Sequence, residues 1–489
     1  MFERKPHISG TELTPLQPRQ FDVLRIIRRG TAIALAGVAL TPSGALGQAE
    51  QAPAEAVPGT SVPAQTTTPE CPINLLQGPD TTCENDIPPA CVNEYNRPSI
   101  EKLRYLPSVE RTGEELATVA HASQVATAEI GVHEQIVQDD AAMVENQGHQ
   151  AGAAFYVGRL MKATVWRTVI YPYRFWPKSR QAIEQYKNHT ASKVAQLREQ
   201  YINAFKAAKN CGYKVMATIA VIGEHWNDSR LRAYTKYVTE KTKPWVDEYG
   251  AENEPNYQGW QESRPHMTPE ETYRRNYTVM YRTIHRYAKK PVLFGEISSL
   301  NYPLRFMKRV LTCAWQKGKK ACPPLKIDKI AYHPYAWIRS WKGRLPKLRN
   351  KKLNVNSKEA GIDAQPLIEN FVNQQYQAGR ISSTLTPGRP PKITYNEFTA
   401  GMTDAKGTMA KRNLSPSQRA LFSVAVRAAV CNSSMADSIA QYQLMWPVKS
   451  SAGEASDWNS ALVTKDGTLS TPLMAIRTFN KNHPHCAGD

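Results

Sequence analysis

The sequence predicts an α/β chain of the (β/α)8, or TIM, barrel class with a cysteine-containing N-terminal extension. Three observations carry that reading. Short apolar runs alternate with longer helical stretches from about residue 118 onward. Eight such strand-then-helix units fit within about 350 residues, inside the usual size range of the barrel. The rival, a doubly wound open sheet, needs a Gly-rich phosphate loop after its first strand, and none is present.

The units can be followed in order. A first strand is expected near 126–132 (ATAEIGV), then helix over about 139–162. TVWRTVIY (164–171) supplies the second strand and is followed by helix through 190–210. KVMATIAVI (214–222) is the third, and 244–256 (PWVDEYGAENEPN) contains the fourth, with helix over 268–289. PVLFGEI (291–297), KIDKIAYHPYAW (326–337), KITYNEF (392–398) and SIAQYQLMW (438–446) complete the set. Each run is rich in β-branched and aromatic residues, as strands covered on both faces require.

Upstream of the barrel the texture differs. Residues 25–40 (RIIRRGTAIALAGVAL) place basic residues before a short apolar run, followed by small residues to Ala49. That is the layout of a secretory signal peptide over 1–49, and the run is too short for a membrane span. No later segment is apolar for long enough to cross a bilayer. Residues 50–69 are rich in Pro, Ala and Thr and read as a linker, and 70–110 carry three cysteines, as a strap. The barrel then occupies 111–489. The eight cysteines lack any C-x-x-C pair, so disulfides are favoured over zinc, and Cys313 with Cys322 suit a local bridge.

The 489 residues carry 62 Lys+Arg against 43 Asp+Glu, a formal net charge of +19. Such an excess implies a polyanionic partner: nucleic acid, an anionic surface or an acidic polymer. Residues 339–358 hold eight of the basic residues and no acid, directly after the sixth strand. Such a run is either a plain solvated face or a surface that captures an acidic glycan or the anionic cell envelope, and export with no recognition module argues against nucleic acid.

In a barrel of this class chemistry gathers where strands end. Glu254, in Asn253-Glu254-Pro255-Asn256, closes the fourth strand, and Glu397, in Thr394-Tyr395-Asn396-Glu397-Phe398, closes the seventh. Glycoside hydrolysis needs two carboxyl groups flanking one bond, one to protonate the leaving oxygen and one to attack carbon or activate water. Glu296, after the fifth strand, is the rival carboxylate, and Glu224 adds another acid near the third. Seven of ten tryptophans, among them Trp226, Trp337 and Trp446, fall at or after strand ends, where flat rings can stack on sugar faces.

Over residues 126–480 these motifs resemble glycoside hydrolase clan A, the retaining (β/α)8 glycosidases. The resemblance implies that Glu254 is the acid/base and Glu397 the nucleophile. Asn253 would bind the sugar 2-hydroxyl, Arg167 would support the nucleophile carboxylate, and Tyr335, in His333-Pro334-Tyr335, would donate to it. Trp446 would floor the subsite where the bond breaks. His333, Trp226 and Trp337 are further candidates for sugar contact. The strand-seven motif departs from the clan's frequent Glu-Phe-Gly by reading Glu397-Phe398-Thr399, so no family within the clan is assigned. No metal or organic cofactor is implied. The expected function is a secreted retaining glycosidase acting on an extracellular or envelope polysaccharide, and the alternative is a barrel that binds such a polysaccharide without cleaving it.

Overall fold

The computed structural model describes residues 91–92, 100, 103–104, 106–117, 129–133, 153–257, 264–315, 322–334, 355–358, 360–398, 415–442, 462–464 and 467–484. All belong to one compact unit, Pro69–Asp489. Residues 1–49, expected as a signal peptide, residues 50–69 and nearly all of the 339–358 basic run lie outside the described residues.

Eight parallel strands close into a barrel. They are β1 (Glu129–His133), β2 (Val165–Ile170), β3 (Lys214–Ile219), β4 (Glu248–Ala251), β5 (Val292–Ser298), β7 (Lys329–His333), β9 (Ile393–Phe398) and β10 (Ala436–Tyr442). Their order around the barrel follows the chain, with β1 pairing β10 to shut the ring. The run expected as one sixth strand divides at Asp328: β6 (Leu325–Ile327) leaves the barrel to pair with β8 (Ile381–Ser383), while β7 stays in it. Asp328 makes the break, because its fully buried carboxylate accepts from the backbone N–H of Val292 and from the hydroxyls of Tyr281 and Thr384.

The helices are α1 (Pro107–Ala117), α2 (153–160), α3 (Pro172–Phe175), α4 (Arg180–Tyr186), α5 (Thr190–Asn210), α6 (Asp228–Thr242), α7 (Pro269–Tyr287), α8 (Pro303–Thr312), α9 (Gln365–Gln377), α10 (Pro416–Cys431) and α11 (Thr471–Asn482). Several begin at local signals. The Thr268 hydroxyl caps α7 by accepting from the Glu271 N–H ahead of Pro269, and Ser415 with Gln418 forms a capping box for α10. β2 shows how the two layers divide its side chains. Trp166 points outward against Phe155 of α2, with ring centroids 4.3 Å apart, and its neighbour Arg167 turns inward.

The described residues of the segment expected as a strap join the same core. Ile100 and Leu103 are buried, and the Arg104 backbone exchanges hydrogen bonds with Gly467 and Leu469. Cys91 is bonded to Cys211 across 120 residues and Cys313 to Cys322 across 9. By loop-closure entropy the first is worth about 5 kcal/mol and the second about 2.5 kcal/mol.

An ionic layer closes the end of the barrel where the strands begin. Lys329 donates to Glu248 at 2.6 Å and to Asp437 at 2.7 Å, and Lys214 donates to Glu248 at 2.9 Å. Lys329→Met removes the shared cation, leaving the buried Glu248 with Lys214 alone and the partly buried Asp437 without an ion-pair partner among the described residues. The expected loss of unfolding free energy is about 3 kcal/mol, measured by chemical denaturation. A loss below about 0.5 kcal/mol would mean that this layer contributes no more than a surface pair.

Candidate active site

The opposite end of the barrel carries a buried hydrogen-bonded cluster built on Arg167. This guanidinium is fully buried. Its Nη1 donates to Oε2 of Glu397 at 2.9 Å, and Nη2 donates to Oε2 of Glu296 at 2.6 Å and to Oδ1 of Asn253 at 2.8 Å. Nε donates to the Thr218 hydroxyl at 3.2 Å, and that hydroxyl donates in turn to Oε1 of Glu296 at 2.6 Å. Burial alone pulls the Arg167 pKa down, but the two carboxylates together outweigh it, so the net shift is upward and the charge is permanent.

Arg167, Asn253, Glu254, His333 and Glu397 lie together in this cluster. Nδ1 of His333 lies 3.1 Å from Oε1 of Glu254 and 3.5 Å from Oε2 of Glu397. His333 thus sits between the two carboxyl groups, and its side chain is completely buried. The side chains of Glu254 and Glu397 keep 11% and 10% of their surface, while Arg167, Glu296 and His333 keep none. Within this cluster only the two expected catalytic glutamates and the neighbouring Asn253 reach outward.

Glu296, the rival carboxylate, lies beneath them as a support. The geometry that puts it there is local. β5 slips register against β7 between Gly295 and Ile297, with φ of 109° at Gly295 and 46° at Glu296. A bulge of this kind re-aims one side chain, here into the barrel. Space for the carboxylate comes from Gly250 on β4, where a Cβ would overlap Oε1 of Glu296. Glu252 and Glu254 also hold left-handed φ, 67° and 45°, which costs on the order of 1–3 kcal/mol each and is held by the surrounding bonds. The Glu254 N–H donates to the Glu296 carbonyl at 3.0 Å, and Asn256 staples the loop by donating to the carbonyls of Ser298 and Leu300.

Thr218, Gly250 and Asn256 were not singled out by the sequence patterns. A glycine inside a short strand is the one signal that marked a close approach there. Tyr335, Trp337 and Trp446 lie outside the described residues. Trp226 joins another assembly: its indole N–H donates to the Val221 carbonyl at 2.6 Å, and its ring stacks against Trp176 and Tyr234, which also touch each other, near Arg230. It is buried there as loop core.

Donor atoms of Glu254, His333 and Glu397 lie within 4.8 Å of one another, a spacing a metal ion could use. The Glu397 oxygen nearest His333 already accepts from Arg167, whose permanent charge opposes a second cation.

No protein-family model matches the sequence, and no curated protein does. Solved structures do show likeness. A family 39 glycoside hydrolase from Bacteroides cellulosilyticus WH2 is 15% identical with a TM-score of 0.48, over 73% of this chain and 64% of that one. The exo-β-1,4-mannosidase Op5Man5 from Opitutaceae bacterium strain TAV5 is 12% identical with a TM-score of 0.43, over 75% and 62%. The GH53 catalytic domain of Ignisphaera aggregans is 13% identical with a TM-score of 0.44, over 72% and 95%. The chain thus spans less than two thirds of the length of the first two.

Gly250→Ala tests the support beneath the site. The added methyl group displaces Glu296 from Arg167, with an expected destabilisation of about 1–3 kcal/mol. Glu296→Asp in the same chain should restore part of it, giving a favourable coupling in a double-mutant cycle. Additive losses in thermal unfolding would place the strain elsewhere. The solved structures to which the chain is similar are clan A glycoside hydrolases, and no single family within the clan stands out.

Proposed function

We propose that this protein is a secreted retaining glycoside hydrolase acting on an extracellular or cell-envelope polysaccharide. One observation carries the reading: two outward-reaching carboxyl groups, Glu254 and Glu397, stand with oxygens within 4.8 Å at the strand ends of a barrel. Retaining enzymes hold such a pair about 5–5.5 Å apart, whereas inverting ones leave about 6.5–9.5 Å for a water.

The roles follow from the partners. Glu397 is paired with a permanent cation and is the nucleophile, because Arg167 favours its ionised form. Among the described residues Glu254 pairs with no arginine or lysine, its neighbour being the His333 imidazole, and it is the acid/base. Glu254 protonates the glycosidic oxygen as the anomeric carbon–oxygen bond breaks and Glu397 bonds to that carbon. Water then attacks the same carbon, gives its proton to Glu254 and releases Glu397 as carboxylate. Asn253 accepts from Arg167 through Oδ1, which leaves its amide N–H groups to donate to a sugar hydroxyl. Tyr335 and Trp446 are proposed to bound the same subsite, and Trp337 to line its rim. His333 keeps the two carboxyl groups apart. Two disulfides among the described residues support an oxidising, extracellular setting.

Glu254→Gln and Glu397→Gln, assayed on a panel of aryl glycosides, should each lower kcat by roughly 10²–10⁴-fold. Azide should restore turnover of Glu254→Gln on substrates with good leaving groups. The first sugar released by the wild type should keep its anomeric configuration by proton NMR. Inversion, or wild-type rates in both variants, would sink the assignment. Saturable polysaccharide binding with no cleavage anywhere in the panel would favour the non-catalytic alternative.

A further inference from the structure

A groove of about 390 Å³ lies on the outer wall of the barrel, between α6, α7 and the Cys313–Cys322 disulfide. None of the residues around Arg167 lines it. On α7 its lining residues fall at helical spacing: Glu271, Arg274, Arg275, Thr278 and Arg282 occupy one stripe. Arg232 faces them from α6, and Trp315 stands on the disulfide side.

The charges in this groove are unevenly matched. Asp228 is held by Arg264 and Arg275, and Glu271 lies beside the same Arg275. Arg232 and Arg282 are exposed and have no carboxylate partner among the described residues. Arg274 is partly buried and also lacks one. Among the described residues its guanidinium donates to the carbonyls of Val310, at 2.9 Å, and Pro323, at 2.6 Å. Burial without a counter-ion pushes its pKa down, which marks it as a cation that an incoming anion would stabilise. The indole N–H of Trp315 is buried and has no acceptor among the described residues. An orphaned donor of this kind stays unsatisfied until a ligand supplies an oxygen.

We propose that this groove binds a carboxylated sugar of an acidic polysaccharide, at a site separate from the Glu254–Glu397 pair. Guanidinium forks match carboxylate oxygens in pairs, and an indole beside them offers a ring face and an N–H to a pyranose. A nucleic acid would also satisfy the arginines. The groove wall is a disulfide, however, and disulfides persist in oxidising compartments, where acidic glycans rather than nucleic acids are the common polyanions. The site stands on its own residues and holds whether or not the barrel cleaves glycosides.

The test is calorimetric titration of the full chain with an oligogalacturonate, its methyl ester and a single-stranded oligonucleotide of equal charge. The uronate should bind, and the neutral ester should not. Arg232→Ala with Arg282→Ala should weaken uronate binding by about 10- to 100-fold, as loss of charge-assisted hydrogen bonds predicts. Trp315→Phe, which keeps a ring and removes the N–H, should cost about fivefold. Both arginines are exposed, so thermal unfolding and hydrolysis of a small aryl glycoside should not change. Equal binding of acid and ester, unchanged affinity in the arginine variant or no uronate binding would overturn the proposal. So would an oligonucleotide that binds more tightly than the uronate and is lost with the same arginines.

Discussion

A single buried cation, Arg167, is the constraint on which the site depends. Taking a guanidinium fully out of water is tolerable only if carboxylates and oxygen acceptors surround it at hydrogen-bond distance. Glu397, Glu296, Asn253 and Thr218 do this from four other strand ends, at 2.6–3.2 Å. The same bonds fix the position of Glu397, so the cost of burying one charge is tied to the placement of another. Removing any one acceptor leaves the cation underpaired, and this makes the cluster cooperative rather than a sum of contacts.

Backbone geometry around the cluster follows from that demand. Glu296 reaches Arg167 because β5 bulges at Gly295, and it fits because β4 has no side chain at Gly250. The left-handed φ of Glu254 is held by its N–H donating to the Glu296 carbonyl. Glu296 therefore anchors Glu254 directly through its carbonyl and supports Glu397 only by way of Arg167, which its side chain holds. The ionic layer of Lys329, Glu248 and Asp437 at the far end closes the ring without touching this network. The two ends of the barrel divide the work of stability and chemistry, as parallel barrels commonly do.

Much of this arrangement was legible beforehand, and where it was not the reasons are physical. The eight strands were readable because each is a local apolar run with turn signals on either side. Their lengths were read too generously at β4 and at the sixth position. At the sixth, the buried Asp328 takes a backbone N–H of a neighbouring strand and divides the run in two. Glu296 was visible as an acid at a strand end, but whether it served the chemistry or supported it depended on a bulge. Trp226 fell at a strand end like a sugar-binding ring. Its indole N–H found a backbone carbonyl instead, and its ring found Trp176 and Tyr234. The arginine stripe on α7 is periodic in the sequence, yet only the neighbouring disulfide and Trp315 make it one wall of a groove.

The sequence by itself determined the order of strands and helices and which carboxylates stand at strand ends. Those properties depend on local periodicity and on residues adjacent in the chain. Only the tertiary structure decided which acids share Arg167, which one is buried beneath it, and that His333 stands between the other two. Arg167 is 129 residues from Glu296 and 230 from Glu397, and no local pattern encodes a distance between such partners. Barrel closure sets that distance, because strand register and the bulge in β5 act together to bring the side chains to one depth.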